Sequence, residues 1–263
     1  MNTQDLLAMA DDPRFIPRIQ EYCDSWCERC AFTDRCLSYA RQQAMAESRG
    51  GEPQDFDEAF EQFTGMLQES LDLLRAMAEE DGIDLDAVDV SEHMAEKDRI
   101  LDEVENHPMS RATMAYFGLA NDWLGMVAGS VDAAGGDFDI FAGLRTVAPA
   151  WDGPVEDLIE AVEVIQRLEL VIVDKVQMAL LGRRQESYYG RSADEISTNA
   201  DGVAKMGLLA LDRSIGAWAT LLPVFPARQA ATLEILALLS RLRVELEQEF
   251  PDAWAFVRPG FDE

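Results

Sequence analysis

Apolar residues recur at three- and four-residue intervals along most of the chain, and no stretch shows the alternation or the paired turn chemistry of a sheet. That single periodicity restricts the fold to the all-α class. Asp55 and Glu58 form a capping box, after which Phe56, Phe60, Phe63, Leu67, Leu71 and Leu74 continue at helical spacing until Gly82. The spacing predicts one amphipathic helix there and a second from about Glu92 to Glu105. A third opens at Asn106-His107-Pro108 and carries Ala112, Ala115, Leu119 and Trp123 along one side. The fourth is bounded by Asp152 as a cap, Pro154, Glu156 and Asp157 in its first turn, and Gly182 with Arg183 and Arg184 at its end. The last two, from about Asp201 to Leu222 and from Pro226 to Glu249, are joined by the short "PVFP" and should pack as an antiparallel hairpin. The expected architecture is a helical bundle of about six helices, residues 51–263, with an N-terminal cysteine-rich metal-binding segment, residues 1–50, packed on it. The loop "VDAAGGDFDIFAGLRTVAPAWDG" divides front from back and is the place for a lid.

With 48% hydrophobic residues in 263, a core forms without staples. Fifty acidic against 22 basic residues give a formal net charge of -28, which repels phosphate backbones and speaks against nucleic acid as a partner. The same charge suits a redox or basic protein partner. The opening "MNTQDLLAMADDPRF" has no basic region followed by an apolar run, and no later segment is long and apolar enough to span a bilayer, so no membrane association and a cytoplasmic location are expected. There thiols stay reduced, and clustered cysteines bind metal more often than they pair.

All four cysteines fall in "YCDSWCERCAFTDRC", as C-x3-C-x2-C-x5-C: Cys23, Cys27, Cys30 and Cys36. At about 100° per residue the first three share a narrow arc of a helix, and Cys36 joins them if the chain bends between Ala31 and Arg35, where Thr33 and Asp34 favour side-chain to backbone bonds. The bland alternative is a core stripe of Ile16, Ile19, Cys23, Cys27 and Cys30. As ligands, four thiolates suit tetrahedral zinc or an iron–sulfur cluster. Zinc sites usually use two C-x2-C-like pairs, and only Cys27 and Cys30 make one here, so the spacing leans to iron–sulfur. Arg14, Arg18, Arg29, Arg35 and Arg41 would offset the charge of a thiolate-ligated cluster.

The ten residues "CERCAFTDRC" resemble the C-x2-C-x5-C run that holds a four-iron cluster in RecB-type nucleases, and the resemblance implies a 4Fe-4S cluster on these cysteines. The acidic-x-lysine motif of those nucleases is absent, so the cluster carries over and the nuclease does not. "CDSWCERC" resembles the C-x3-C-x2-C of radical SAM enzymes, from which the chain departs in its fourth nearby cysteine and its lack of strand–helix alternation. The whole opening is similar to that of an uncharacterised group of bacterial helical proteins with a YCDxWCxRC-type four-cysteine start.

Other constellations are weaker. His93 and His107 have Val90 and Val104, not glutamate, three residues before them, so the di-iron bundle signature fails. Asp89, His93 and Glu96 could share a helix face, and Glu160 and Glu163 lie on a polar stripe with Glu169 nearby, but each set reads first as solvated surface. "DGIDLDAVD" lacks the ligand and glycine positions of a calcium loop. Val203, Gly207, Ala210, Ser214 and Ala217 make a small-residue face for close helix approach. Lys205, a turn inside that helix, is a weak anion-site candidate; the alternative is an ion pair with a carboxylate. A cluster closed by four protein ligands predicts electron transfer or redox sensing. The alternatives are a structural-zinc helical interaction protein and an enzyme using the cluster beside a small-molecule pocket near Lys205.

Overall fold

The computed structural model describes residues 12–49, 56–84, 89, 91–129, 144, 151, 153–189 and 199–262. Among these there is no strand, and there are seven α-helices: α1 Leu37–Arg49, α2 Phe56–Glu80, α3 Ser91–Glu105, α4 Pro108–Gly129, α5 Val155–Tyr189, α6 Ala200–Leu221 and α7 Gln229–Glu249. The all-α expectation holds, with one helix more than the six anticipated, because the residues after Cys36 form α1. No helix of the described residues is long and apolar enough to cross a membrane. The expected lid loop at 131–153 lies almost wholly outside the described residues. The chain divides into two compact units, one of Met1–Gln20 with Cys27–Lys97 and one of Glu21–Trp26 with Asp98–Glu263.

In the smaller unit the turns are tied together by the Ile16 N–H, which donates to Arg35 O at 3.0 Å, and Phe15, Ile16 and Ile19 are buried. Helix α2 forms where the periodicity placed it and closes on Gly82 at φ 69, a left-handed conformation that costs glycine nothing. Its apolar stripe is not buried: Phe60, Phe63, Leu67, Leu71, Leu74 and Met77 are 47–59% exposed. The capping residue Asp55 lies outside the described residues.

In the larger unit α4, α5, α6 and α7 pack in a closed ring, α4 on α5, α5 on α6, α6 on α7 and α7 on α4. Successive residue pairs across the interfaces run in opposite directions. Arg183 meets Asp201 and Val176 faces Gly207 between α5 and α6. Asp212 meets Arg243 and Leu246 faces Gly207 between α6 and α7. Trp123 meets Thr232 while Met126 O accepts from Arg228, just before α7. Asn121 on α4 meets Glu169 on α5 and closes the ring. The unit is therefore an up-down-up-down four-helix bundle. The small face of α6 works as expected: Val203, Gly207, Ala210, Ser214 and Ala217 are buried, and a Cβ on Gly207 would sit 3.1 Å from Leu246 of α7. At the centre the indole of Trp123 stands edge-on to Trp218, 5.1 Å between centroids, and to Phe225 at 5.0 Å. Both indole N–H groups are satisfied, Trp123 by Thr232 Oγ1 at 3.0 Å and Trp218 by the Tyr116 hydroxyl at 3.3 Å.

Two helix readings need correction. Helix α5 runs through Gly182 to Tyr189, seven residues past its expected end. Arg183 lies over the Phe250 ring at 4.2 Å and reaches Asp201, so tertiary contacts outweigh the cost of one internal glycine, about 1 kcal/mol. The inner side of α4 is Met109, Thr113, Tyr116, Ala120, Trp123 and Val127, whereas Ala115 is exposed. Of the expected stripe Trp123 is fully buried and Ala112 and Leu119 pack half-buried against the core, so only Ala115 falls outside it.

Glu169 sits in the bundle 8% exposed, accepting from Asn121 Nδ2 at 3.3 Å. Burial pushes its carboxyl up to about 7 against a smaller opposing effect of Asn121. Because the folded value lies above the unfolded one, the group weighs nothing against the fold below about pH 4.5, and stability falls as pH rises towards 7. Glu169→Gln is expected to exceed the parent by about 2 kcal/mol at pH 8 and to match it at pH 4.5. Urea denaturation at the two pH values measures this, and an equal difference at both would refute it.

Candidate metal centre

The cysteine segment is not the helix that the 100° spacing implied. It is a chain of one-turn 3-10 helices, Ile19–Tyr22, Cys27–Arg29 and Thr33–Arg35, separated by bends. Arg18 and Ser25 have φ of 59 and 56, which an α-helix does not admit, and the Asp24 carboxylate accepts the Trp26 N–H at 3.1 Å in a local turn. Each cysteine falls at a turn boundary. Cys23 follows the first turn, Cys27 opens the second, Cys30 follows it, and Cys36 lies between the third turn and α1. The chain bends where Thr33 and Asp34 permitted it, and it bends before Cys27 as well.

Local hydrogen bonds fix the shape of the C-x2-C step. The Cys30 N–H donates to Cys27 O at 3.2 Å, and the Phe32 N–H donates to the Cys30 sulfur at 3.4 Å. None of the four thiols is in a disulfide, and all are partly exposed. The core-stripe alternative required them to be buried alongside Ile16 and Ile19, which alone among those five residues are buried. Among the described residues no three histidine, cysteine, aspartate or glutamate side chains are gathered as a metal-binding group. A donor set of four soft thiols is one that zinc or an iron–sulfur cluster takes, and calcium or magnesium does not.

The stretch Tyr22–Trp26 is held by the bundle through residues that the sequence reading passed over. Asp24 pairs with Arg213 of α6 at 2.6 Å. The Trp26 ring lies near both Arg213 and Arg167, with guanidinium carbons 5.6 and 5.7 Å from its centroid. Tyr22 is buried against Phe256, 4.8 Å between centroids, and its hydroxyl accepts the N–H of Asn199 at 3.3 Å. Asn199 is itself the cap of α6, its side chain accepting the Gly202 N–H at 3.0 Å. The aromatic character of "YCDSW" and the asparagine before α6 are the only sequence signals of this docking.

Gly202 is what lets the two rings approach. A Cβ there would lie 2.5 Å from the Tyr22 ring and 2.6 Å from Phe256, closer than carbon atoms pack. Gly202→Ala is expected to cost about 2 kcal/mol in spite of the higher helix propensity of alanine, because two packed rings must move. Thermal unfolding checks it, and a neutral or stabilising effect would mean that the rings are not seated on α6.

The remaining candidates are used structurally. Lys205 Nζ donates to the Asp262 carboxylate and to Phe256 O, each at 2.7 Å, so its anion is supplied by the chain itself. Arg258, and then Lys205, hold the Asp262 carboxyl far below the usual range. Asp89 accepts the Ser91 N–H at 3.0 Å at the start of α3, and His107 Nδ1 accepts the Met109 N–H at 3.3 Å at the start of α4. His93 is exposed. A cavity of about 760 Å³ lies among Leu101, Val104, Arg111, Met114, Asp174 and Met178, of α3, α4 and α5, and Lys205 does not line it. Comparison of the chain with protein families, with curated proteins and with solved structures returns no match.

Proposed function

We propose that Cys23, Cys27, Cys30 and Cys36 ligate one iron–sulfur cluster, of the 4Fe-4S type, and that the protein exchanges single electrons with a partner or senses redox state. The observation that carries this reading is that all four cysteines of the chain, none of them in a disulfide and all partly exposed, fall within "CDSWCERCAFTDRC" at the boundaries of successive tight turns. Tight turns leave backbone N–H groups pointing at sulfur, as from Phe32 to Cys30, and such bonds stabilise a negatively charged thiolate ligand. The likeness of "CERCAFTDRC" to the cysteine run of RecB-type nucleases supports the same assignment. Four protein ligands leave no iron position open to substrate, so the chemistry supplied is electron transfer without bond making. The chain's residues would supply the thiolates and, through Asp24 and Trp26, hold the segment that bears Cys23 on α5 and α6.

A structural-zinc reading is the second, favoured by the hydrogen-bonded Cys27–Cys30 turn, which is the kind of knuckle zinc sites use. Visible absorption of anaerobically purified protein, with iron, sulfide and zinc analysis of the same sample, separates the two. Brown protein with matching iron and acid-labile sulfide supports the cluster. Colourless protein with one equivalent of zinc overturns it and makes the four cysteines a fold-stabilising knuckle.

A further inference from the structure

The exposed stripe of α2 is the largest feature that the metal site leaves without a role. Phe60, Phe63, Leu67, Leu71, Leu74 and Met77 lie within about 120° of arc, and each is about half exposed. A helix in water draws its stability from burying such a face, and in the same unit Phe15, Ile16 and Ile19 are already buried. We propose that this stripe is the interface between two copies of the chain, packed antiparallel along α2.

Three features of the stripe select a second copy over other occupants. The first is self-complementarity. Turned end over end about a point near residue 69, α2 sets Phe60 against Met77, Phe63 against Leu74 and Leu67 near Leu71, so a ring meets a flexible aliphatic group at the outer levels and leucine meets leucine at the centre, as a two-fold interface allows. The second is area. Six side chains offering about 100 Å² each give about 1,200 Å² over two copies, the lower end of specific interfaces, before any flanking contact is added. The third is charge. Glu61, Asp72 and Glu79 lie away from the stripe, and Thr64 and Ser70 along its edges are neutral, so the stripe itself offers nothing to a basic partner and sets no like charges face to face; Ala78, in line with Phe60 at its far end, is already buried.

Each copy carries a formal charge of -28, so association should strengthen as salt screens the long-range repulsion, whereas a charge-complementary partner would be released by salt. Sedimentation of the intact metal-loaded chain from about 1 to 100 µM at low and high salt tests this. The expected result is twice the 29.3 kDa chain mass, favoured at high salt. In the double variant Leu67→Glu, Leu71→Glu the dimer should weaken by about a hundredfold or more with helicity retained, since charge would be buried against charge. Photo-crosslinking from a benzophenone side chain at position 60 should label the peptide bearing Met77 in the other copy. A monomer throughout the range, a dimer indifferent to the double variant, or label confined to its own chain would each overturn the proposal. None of these readouts depends on which metal the cysteines hold.

Discussion

Replacing Cys27 or Cys30 by serine is expected to bleach the visible absorption of the purified protein and to remove most of its iron and acid-labile sulfide. A serine oxygen is a harder donor with a much higher pKa than a thiol, and it does not replace a thiolate on iron at neutral pH. These two positions are the informative ones because they share one hydrogen-bonded turn, in which Cys30 also receives the Phe32 N–H. The bundle should survive the change, since the thiols are partly exposed and its core does not draw on them. Far-UV circular dichroism and the urea midpoint of the larger unit are therefore expected to stay near the parent values. Colour retained in both variants would remove these residues from the ligand set.

Truncating Trp123 to alanine is expected to cost about 3–5 kcal/mol, a large share of the 5–15 kcal/mol that holds a typical domain folded. The side chain is fully buried, makes two edge-on aromatic contacts, and donates to Thr232, which in turn donates to Arg228 O at 3.1 Å. Removal leaves a large apolar cavity between α4, α6 and α7. Trp123→Phe keeps one six-membered ring in the core and loses the pyrrole half of the indole with its hydrogen bond to Thr232, so a smaller cost of about 2 kcal/mol is expected for it. Urea denaturation followed at 222 nm measures both. A loss below 1 kcal/mol for the alanine variant would contradict the packing described for this centre.

The sequence disclosed the elements whose boundaries are local. Ser91–Glu105 and the α6–α7 hairpin came out within a few residues of expectation because caps, prolines and periodicity act within a few residues of the boundary they set. Helix α5 overran Gly182 because Phe250 and Asp201, far along the chain, hold Arg183 in place. The four cysteines stood out by clustering alone. Their backbone did not, because a helical wheel takes no account of Asp24 bonding to Trp26 or of Tyr22 and Trp26 being held by distant residues. The burial of Glu169 was hidden for a related reason. Its helix shows carboxylates on the outer stripe as well, and which one turns inward depends on Asn121 of a neighbouring helix.

The docking of Tyr22 also orders events during synthesis. Its hydroxyl partner Asn199 is 177 residues further on, and Gly202 and Phe256, against which its ring rests, emerge later still. At about 5–20 residues per second, the cysteine segment leaves the ribosome roughly 10–40 s before the surface that will hold it exists. During that interval the four thiols belong to a nascent chain without its bundle. Delivery of the metal proposed for these thiols would thus have a window set by translation, in which the four sulfurs are accessible and the clamp at Asp24 and Trp26 has yet to close.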